Sequence, residues 1–174
     1  MRRDVKTYLQ AAALGLVAGV RGATAPATIA SYVHRRQGRI LASPELAQSP
    51  LRYLASPLAG DALRLFALGE MVMDKLPFVP KRTAAPSLTA RAVSGGLAGA
   101  VVGMMYRGSP VLAGLIGALS ATGATFGITR LRKQLTENTA VHDAVIGGLE
   151  DLLVLGTGYY LVNMKNENAL IQGD

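Results

Sequence analysis

Residues 87–131 read SLTARAVSGGLAGAVVGMMYRGSPVLAGLIGALSATGATFGITRL. Two apolar runs flank Arg107-Gly108-Ser109-Pro110, and each is close to the roughly 20 residues that cross bilayer hydrocarbon as a helix. Gly95, Gly99 and Gly103 recur every fourth residue in the first run, and Gly123 and Gly127 keep that spacing in the second. That interval gathers the glycines on one helix face, where the absent side chains let backbones approach. Between helices already in lipid, such packing replaces the hydrophobic effect as the drive for association. No glycine cluster lies between a strand and a helix, as a phosphate loop would require. The pattern predicts helices over 87–106 and 111–131.

The same reading extends outward. Residues 58–76 form another apolar segment, closed by Pro77, Pro80 and Pro86, each of which removes a helix donor. A further segment is predicted over 141–162, followed by a polar tail at 163–174. The first segment, 7–33, holds Arg21 near its middle, with Gly19, Gly22 and Pro26 around it. A straight helix through those residues is not expected, and the segment reads as broken or re-entrant. Thr24 is positioned to cap a second helix with Pro26 in its first turn. The basic, proline-punctuated connection that follows has room for a short interfacial helix at 51–54. The fold class expected is all-α, a polytopic transmembrane bundle of about five membrane segments. The chain reads as a single integral membrane domain, 1–174, with a basic N-terminus at 1–6.

A weak internal two-helix repeat is visible. Gly15 to Val20 resembles Gly114 to Leu119, and after each comes a helix opening with Asp-Ala, at Asp61 and Asp143. Duplication and chance similarity in an Ala-, Gly- and Leu-rich chain both account for it.

Composition supports the membrane reading. Half of the 174 residues are hydrophobic, yet aromatics make up 5%, tryptophan is absent and glycines number 20. A soluble core of this size draws more on large aromatics. Cysteine is absent, which excludes disulfides and thiolate metal sites. The formal charge of +7 is gathered at segment ends, in Arg2, Arg3 and Lys6, in Arg35, Arg36 and Arg39, in Lys81 and Arg82, and in Arg130, Arg132 and Lys133. Those are positions facing lipid headgroups; no basic stripe carries interleaved aromatics, so no nucleic-acid partner is expected. Arg2 and Arg3, the short apolar run and Ala23-Thr24-Ala25 resemble a signal peptide, but Arg21 and Pro26 fit that badly and the segment is expected to be retained. Five full spans would set the Arg35 cluster opposite the other basic loops; a re-entrant first segment rescues it and displaces Lys81 and Arg82 instead.

The residues most informative for function are ionisable groups inside apolar segments, where a charge costs about 2.5–3.5 kcal/mol on insertion scales. Glu70 and Asp74 are one helical turn apart on one face. Glu150 and Asp151 lie near the middle of the last segment. These four carboxylates are the candidate proton- or cation-binding group, since paired acids titrate apart. Arg21 and Arg91 are candidates for charge balance or for contact with an anion. No cofactor motif is present, and the sequence identifies no metal set, although oxygen ligands of this kind suit magnesium.

Glu70-Met-Val-Met-Asp74-Lys75-Leu-Pro77, then Arg91 before a small-residue helix, then Leu149-Glu150-Asp151-Leu152, resemble a domain-of-unknown-function family of small bacterial integral membrane proteins. Ala18-Gly19-Val20-Arg21 is similar to that family's glycine–arginine stretch. The resemblance spans about 15–155 and implies a multi-span protein of the bacterial inner membrane, with no established reaction. The stretch from Pro80 to Pro86 departs from the pattern.

Three function classes follow. The first is a small transporter or ion-conducting protein, a homo-oligomer such as a dimer joined through its glycine faces. The second is a noncatalytic membrane scaffold whose charges hold the bundle. The third is a metal-dependent lipid enzyme, which lacks any accompanying nucleophile or headgroup motif; enzymatic activity is not the leading expectation.

Overall fold

The computed structural model describes residues 2–42, 44–73, 83–106, 108–138, 147–148, 152, 154 and 156–157. All the regular structure among them is helical: α1 (Arg2–Val20), α2 (Thr24–Arg35), α3 (Gln37–Ala42), α4 (Pro44–Ala47), α5 (Leu51–Leu54), α6 (Pro57–Met73), α7 (Ala85–Met105) and α8 (Pro110–Asn138). The segment predicted over 141–162 falls mostly outside the described residues. Among the described residues two helices are long and apolar enough to cross a membrane, α7 and the 26 residues Pro110–Leu135 of α8.

The turn between α7 and α8 follows from its residues. Tyr106 caps α7, and the Gly108 N–H reaches back to the Gly103 carbonyl (2.9 Å), the six-to-one bond of a Schellman ending. Ser109 then accepts the Leu112 N–H on its hydroxyl (3.3 Å), and Pro110 takes the first helical position.

The antiparallel pair so formed is in close backbone contact. A Cβ on Gly95 would lie 2.7 Å from the Gly117 carbonyl oxygen, and Gly99 stands against the Ala113 backbone. The expected face of α7, Gly95–Gly99–Gly103, is therefore the packed one. On α8 the contacting glycines are Gly114 and Gly117. Gly123 and Gly127 meet nothing within 4 Å among the described residues. The shift is one of face: at about 100° per residue Gly123 lies on the side of α8 opposite Gly114, whereas Gly114 and Gly117 are three apart and share the side that meets α7. Two glycines of α1 join the packing, Gly15 against Gly117 and Ser120, and Gly19 against Ala121 and Ala124.

The first segment is two helices and not one. Arg21-Gly22-Ala23 breaks it, and α2 folds back: Gly19, Val20 and Gly22 lie beside Arg91 and Ser94, while Gln10 and Tyr32 come together next to Tyr106. The expected break is present, and its two helices form a hairpin. It returns Arg35 and Arg36 to the end of the bundle that holds Lys6, with Arg130 and Lys133 at the other. Thr24 does not cap α2. Ala23 occupies the cap position without a side-chain hydrogen bond, and Pro26 sits in the first turn as expected.

Ala11, Leu14, Val17 and Ala18 of α1 pack with Ile29 and Val33 of α2 and Ala98, Val102 and Met105 of α7 to form the core. The outward faces stay apolar, with Leu58, Leu65 and Phe66 on α6, Leu97 on α7, and Val111, Leu115 and Leu119 on α8 all exposed. Contiguous apolar surface on this scale is uncharacteristic of monomers in water. The expected interfacial helix at 51–54 is α5; Leu51 is buried, and His34 Nδ1 approaches the Ala55 carbonyl at 3.0 Å, fastening it to α2.

Candidate functional site

A helix break leaves orphan carbonyls at one end and orphan N–H groups at the other, carrying the negative and positive ends of the two helix dipoles. At residues 19–23 both sets are met by side chains from other helices. Arg91 of α7 donates through Nη1 to the carbonyls of Gly19 (3.0 Å) and Val20 (2.7 Å), the closing turn of α1. Glu70 of α6 accepts the Gly22 N–H on Oε1 (2.9 Å) and the Ala23 N–H on Oε2 (2.8 Å), at the opening of α2. The two side chains complete the circuit, with Arg91 Nη2 donating to Glu70 Oε1 at 3.1 Å. Each charge thus lies at the dipole end of opposite sign.

Burial makes the arrangement consequential. The Arg91 side chain is 4% exposed and that of Glu70 18%. A guanidinium so enclosed is tolerated because it donates at several points and stands against a carboxylate. Neighbouring hydroxyls complete the lining. Ser87 Oγ accepts from Arg91 Nε (3.4 Å), Ser94 donates to the Gly22 carbonyl, and Thr125 of α8 donates to the Gly19 and Ala121 carbonyls (3.0 and 2.9 Å). Gly22 is needed for space, since a Cβ there would lie 3.2 Å from Glu70 Oε1.

The break opens onto a cleft of about 430 Å³ between α2, α6 and α7. Leu63, Phe66, Val93 and Leu97 form its walls, and Glu70, Arg91, Ser87 and Ser94 its polar end.

Of the residues singled out in the sequence, the structure brings Glu70 and Arg91 together at the break. Arg21 is buried inside it, its N–H closing the last turn of α1 onto the Val17 carbonyl (2.8 Å). Asp74, Glu150 and Asp151 lie outside the described residues. Asp61 and Arg64 form an exposed ion pair (2.9 Å), with Arg64 also reaching the Ser31 hydroxyl, apart from the break. Among the described residues no three of His, Asp and Glu gather as metal ligands.

Sequence reasoning missed the hydroxyl contributors. Ser87, Arg91 and Ser94 are spaced four and three apart, so one helix face carries all three; that spacing was the available signal. Thr125 is one of several hydroxyl residues in its run and carries no comparable mark. Compared with protein-family models, characterised proteins and solved structures, the chain matches none.

Proposed function

We propose that the chain is an integral membrane protein that transports or conducts a small ion or solute, with the α1–α2 hairpin as its gate and Glu70 as the group that couples the gate to a proton or cation. The observation behind this reading is a backbone break held by an ion pair at the polar end of an open cleft. Non-helical backbone at membrane depth is tolerated where it is buried in protein or lines a water-filled cavity. Discontinuous helices with their termini aimed at a binding site are a recurring transporter device.

Glu70 as a carboxylate accepts from two backbone N–H groups and one guanidinium. A proton on either oxygen removes an acceptor site and cancels the attraction for Arg91. A cation entering from the cleft competes with Arg91 for the same oxygens. Either event frees the tip of the hairpin, and that is the gating step. Asp74, Glu150 and Asp151 are the proposed further carboxylates of the path, with Arg21 balancing their charge. In this reading five membrane segments complete the bundle in a bacterial inner membrane, as the family resemblance implies. The Gly123–Gly127 face of α8, which meets nothing among the described residues, joins two copies in a dimer.

A second reading, a noncatalytic scaffold, is favoured by one observation. Glu70 accepts from two backbone N–H groups and a guanidinium at once, which ties α6 to α2 and α7 as a structural clamp would.

Ion flux separates the two. Internal pH is followed in proteoliposomes under an imposed potential, for the wild type and for Glu70→Gln at matched folded yield. Flux lost in the variant supports coupling through Glu70; equal flux refutes it. Absence of flux in both, with reduced folded yield of the variant, favours the scaffold.

A further inference from the structure

At the opposite end of the hairpin from the break, α1, α2 and α7 border a partly open pocket of about 20 Å³ lined by Gln10, Leu14, Thr28, Ile29, Tyr32, Met105 and Tyr106 among others. Tyr32 is 4% exposed, and its hydroxyl has no hydrogen-bond partner among the described residues. An unsatisfied buried hydroxyl costs about 1–3 kcal/mol, and buried polar groups in native proteins nearly always find a partner. Tyr106, itself buried, lines the same pocket. The two hydroxyls lie near each other without closing a bond of normal geometry. The buried Gln10 side chain lines the pocket with both tyrosines.

We propose that this cavity is a binding site for a single water molecule, held by the hydroxyls of Tyr32 and Tyr106 and the amide of Gln10. The size fits: a water needs at least about 10–15 Å³ of such volume and two to four polar partners. The chemistry favours a neutral ligand. No carboxylate lines the cavity, and the Arg36 guanidinium lies 5.6 Å from the centre of the Tyr32 ring, which repels a cation. Leu14, Ile29 and Met105 supply apolar walls that penalise an anion. The water bridges the returning leg of the hairpin to α1 and α7, fixing at this end the register that Glu70 and Arg91 fix at the other. The site is independent of whether the chain transports anything.

Two measurements on the full chain in detergent test the site. With methyl labels on Ile29 and Met105, the wild type should show cross-relaxation between these methyls and a long-lived water, absent in Tyr32→Phe. Thermal unfolding of Tyr32→Phe should begin several degrees below the wild type, because the water loses a partner. A wild type with no methyl–water contact overturns the proposal. So does a Tyr32→Phe variant that unfolds at the same or a higher temperature, since a merely unsatisfied hydroxyl is better removed. Wild-type stability that rises when chloride replaces gluconate at equal ionic strength would assign the cavity to an anion instead.

Discussion

Removing the guanidinium of Arg91 is the perturbation with the largest expected effect. Arg91→Leu deletes the donors to the Gly19 and Val20 carbonyls and the partner of Glu70 in one step. Glu70, 18% exposed, is left at the start of α2 with its two backbone N–H groups but no neutralising charge. Breaking a buried pair from one side costs about 3–5 kcal/mol. The residual exposure of Glu70 and its backbone donors hold the loss to the lower half, about 3–4 kcal/mol. Glu70→Gln alone costs less, about 2 kcal/mol, because a neutral amide still presents one acceptor to a group that prefers a charged one. The double variant should fall short of the sum by about 1.5–3 kcal/mol, the range of a hydrogen bond to a charged group. Unfolding by SDS titration in mixed micelles, followed by far-UV circular dichroism, measures all three. Additive losses, with coupling below about 0.5 kcal/mol, would refute the claim that the two side chains hold the break as one unit.

Two further substitution sets probe the rest of the bundle. Gly99→Leu forces a side chain into the Ala113 backbone and should abolish folded yield, whereas Gly123→Leu should leave the isolated chain within about 0.5 kcal/mol of the wild type. Size-exclusion chromatography with light scattering would then test whether Gly123→Leu disrupts a dimer, as the proposed assembly requires. Asp61→Asn should change stability by no more than about 0.5 kcal/mol, since its pair with Arg64 is 65% and 49% exposed; a larger loss in the same SDS titration would mean the pair is enclosed by something else.

Much of the architecture was legible because it depends on local chemistry. Ser109-Pro110 carries its own cap and first-turn residue, and the Gly95–Gly99–Gly103 spacing marks a packing face whatever lies opposite. Pro26 and the glycines around Arg21 forecast a break for the same reason, since each weakens a helix where it stands. What periodicity does not encode is which residue meets which across the bundle. The side of α8 that faces α7 was set by how the two helices meet across the bundle, so Gly114 and Gly117 took the contact and Gly123 and Gly127, on another side, did not. Glu70 and Arg91 were both recognisable as charges out of place. Their meeting at residues 19–23 depends on α6 and α7 flanking the hairpin tip, and no spacing within either helix states that. Thr24 illustrates the same limit from the other side: the helix starts one residue earlier, the Ala27 N–H goes to the Ala23 carbonyl, and a distant carboxylate, Glu70, accepts the N–H groups of Gly22 and Ala23 at the entry.

That substitution of a distant cap for a local one bears on how the hairpin behaves. A helix capped by its own Ser or Thr holds its end closed wherever the helix goes. A helix capped from another element is closed only while the two elements stay together. α2 is of the second kind, and α1 shares the arrangement through Arg91, so both sides of the break depend on α6 and α7 remaining in place. α6 meets the bundle mainly through α2, and Leu58 and Leu65 stay exposed on it. The contact that closes the break is therefore borne by the more loosely packed of its two flanking helices. If α6 moves outward by even 1 Å, the 2.8–3.1 Å contacts of Glu70 exceed normal hydrogen-bond length while those of Arg91 to Gly19 and Val20 survive. On the gating proposal, the break would therefore open on the α2 side first, into the cleft.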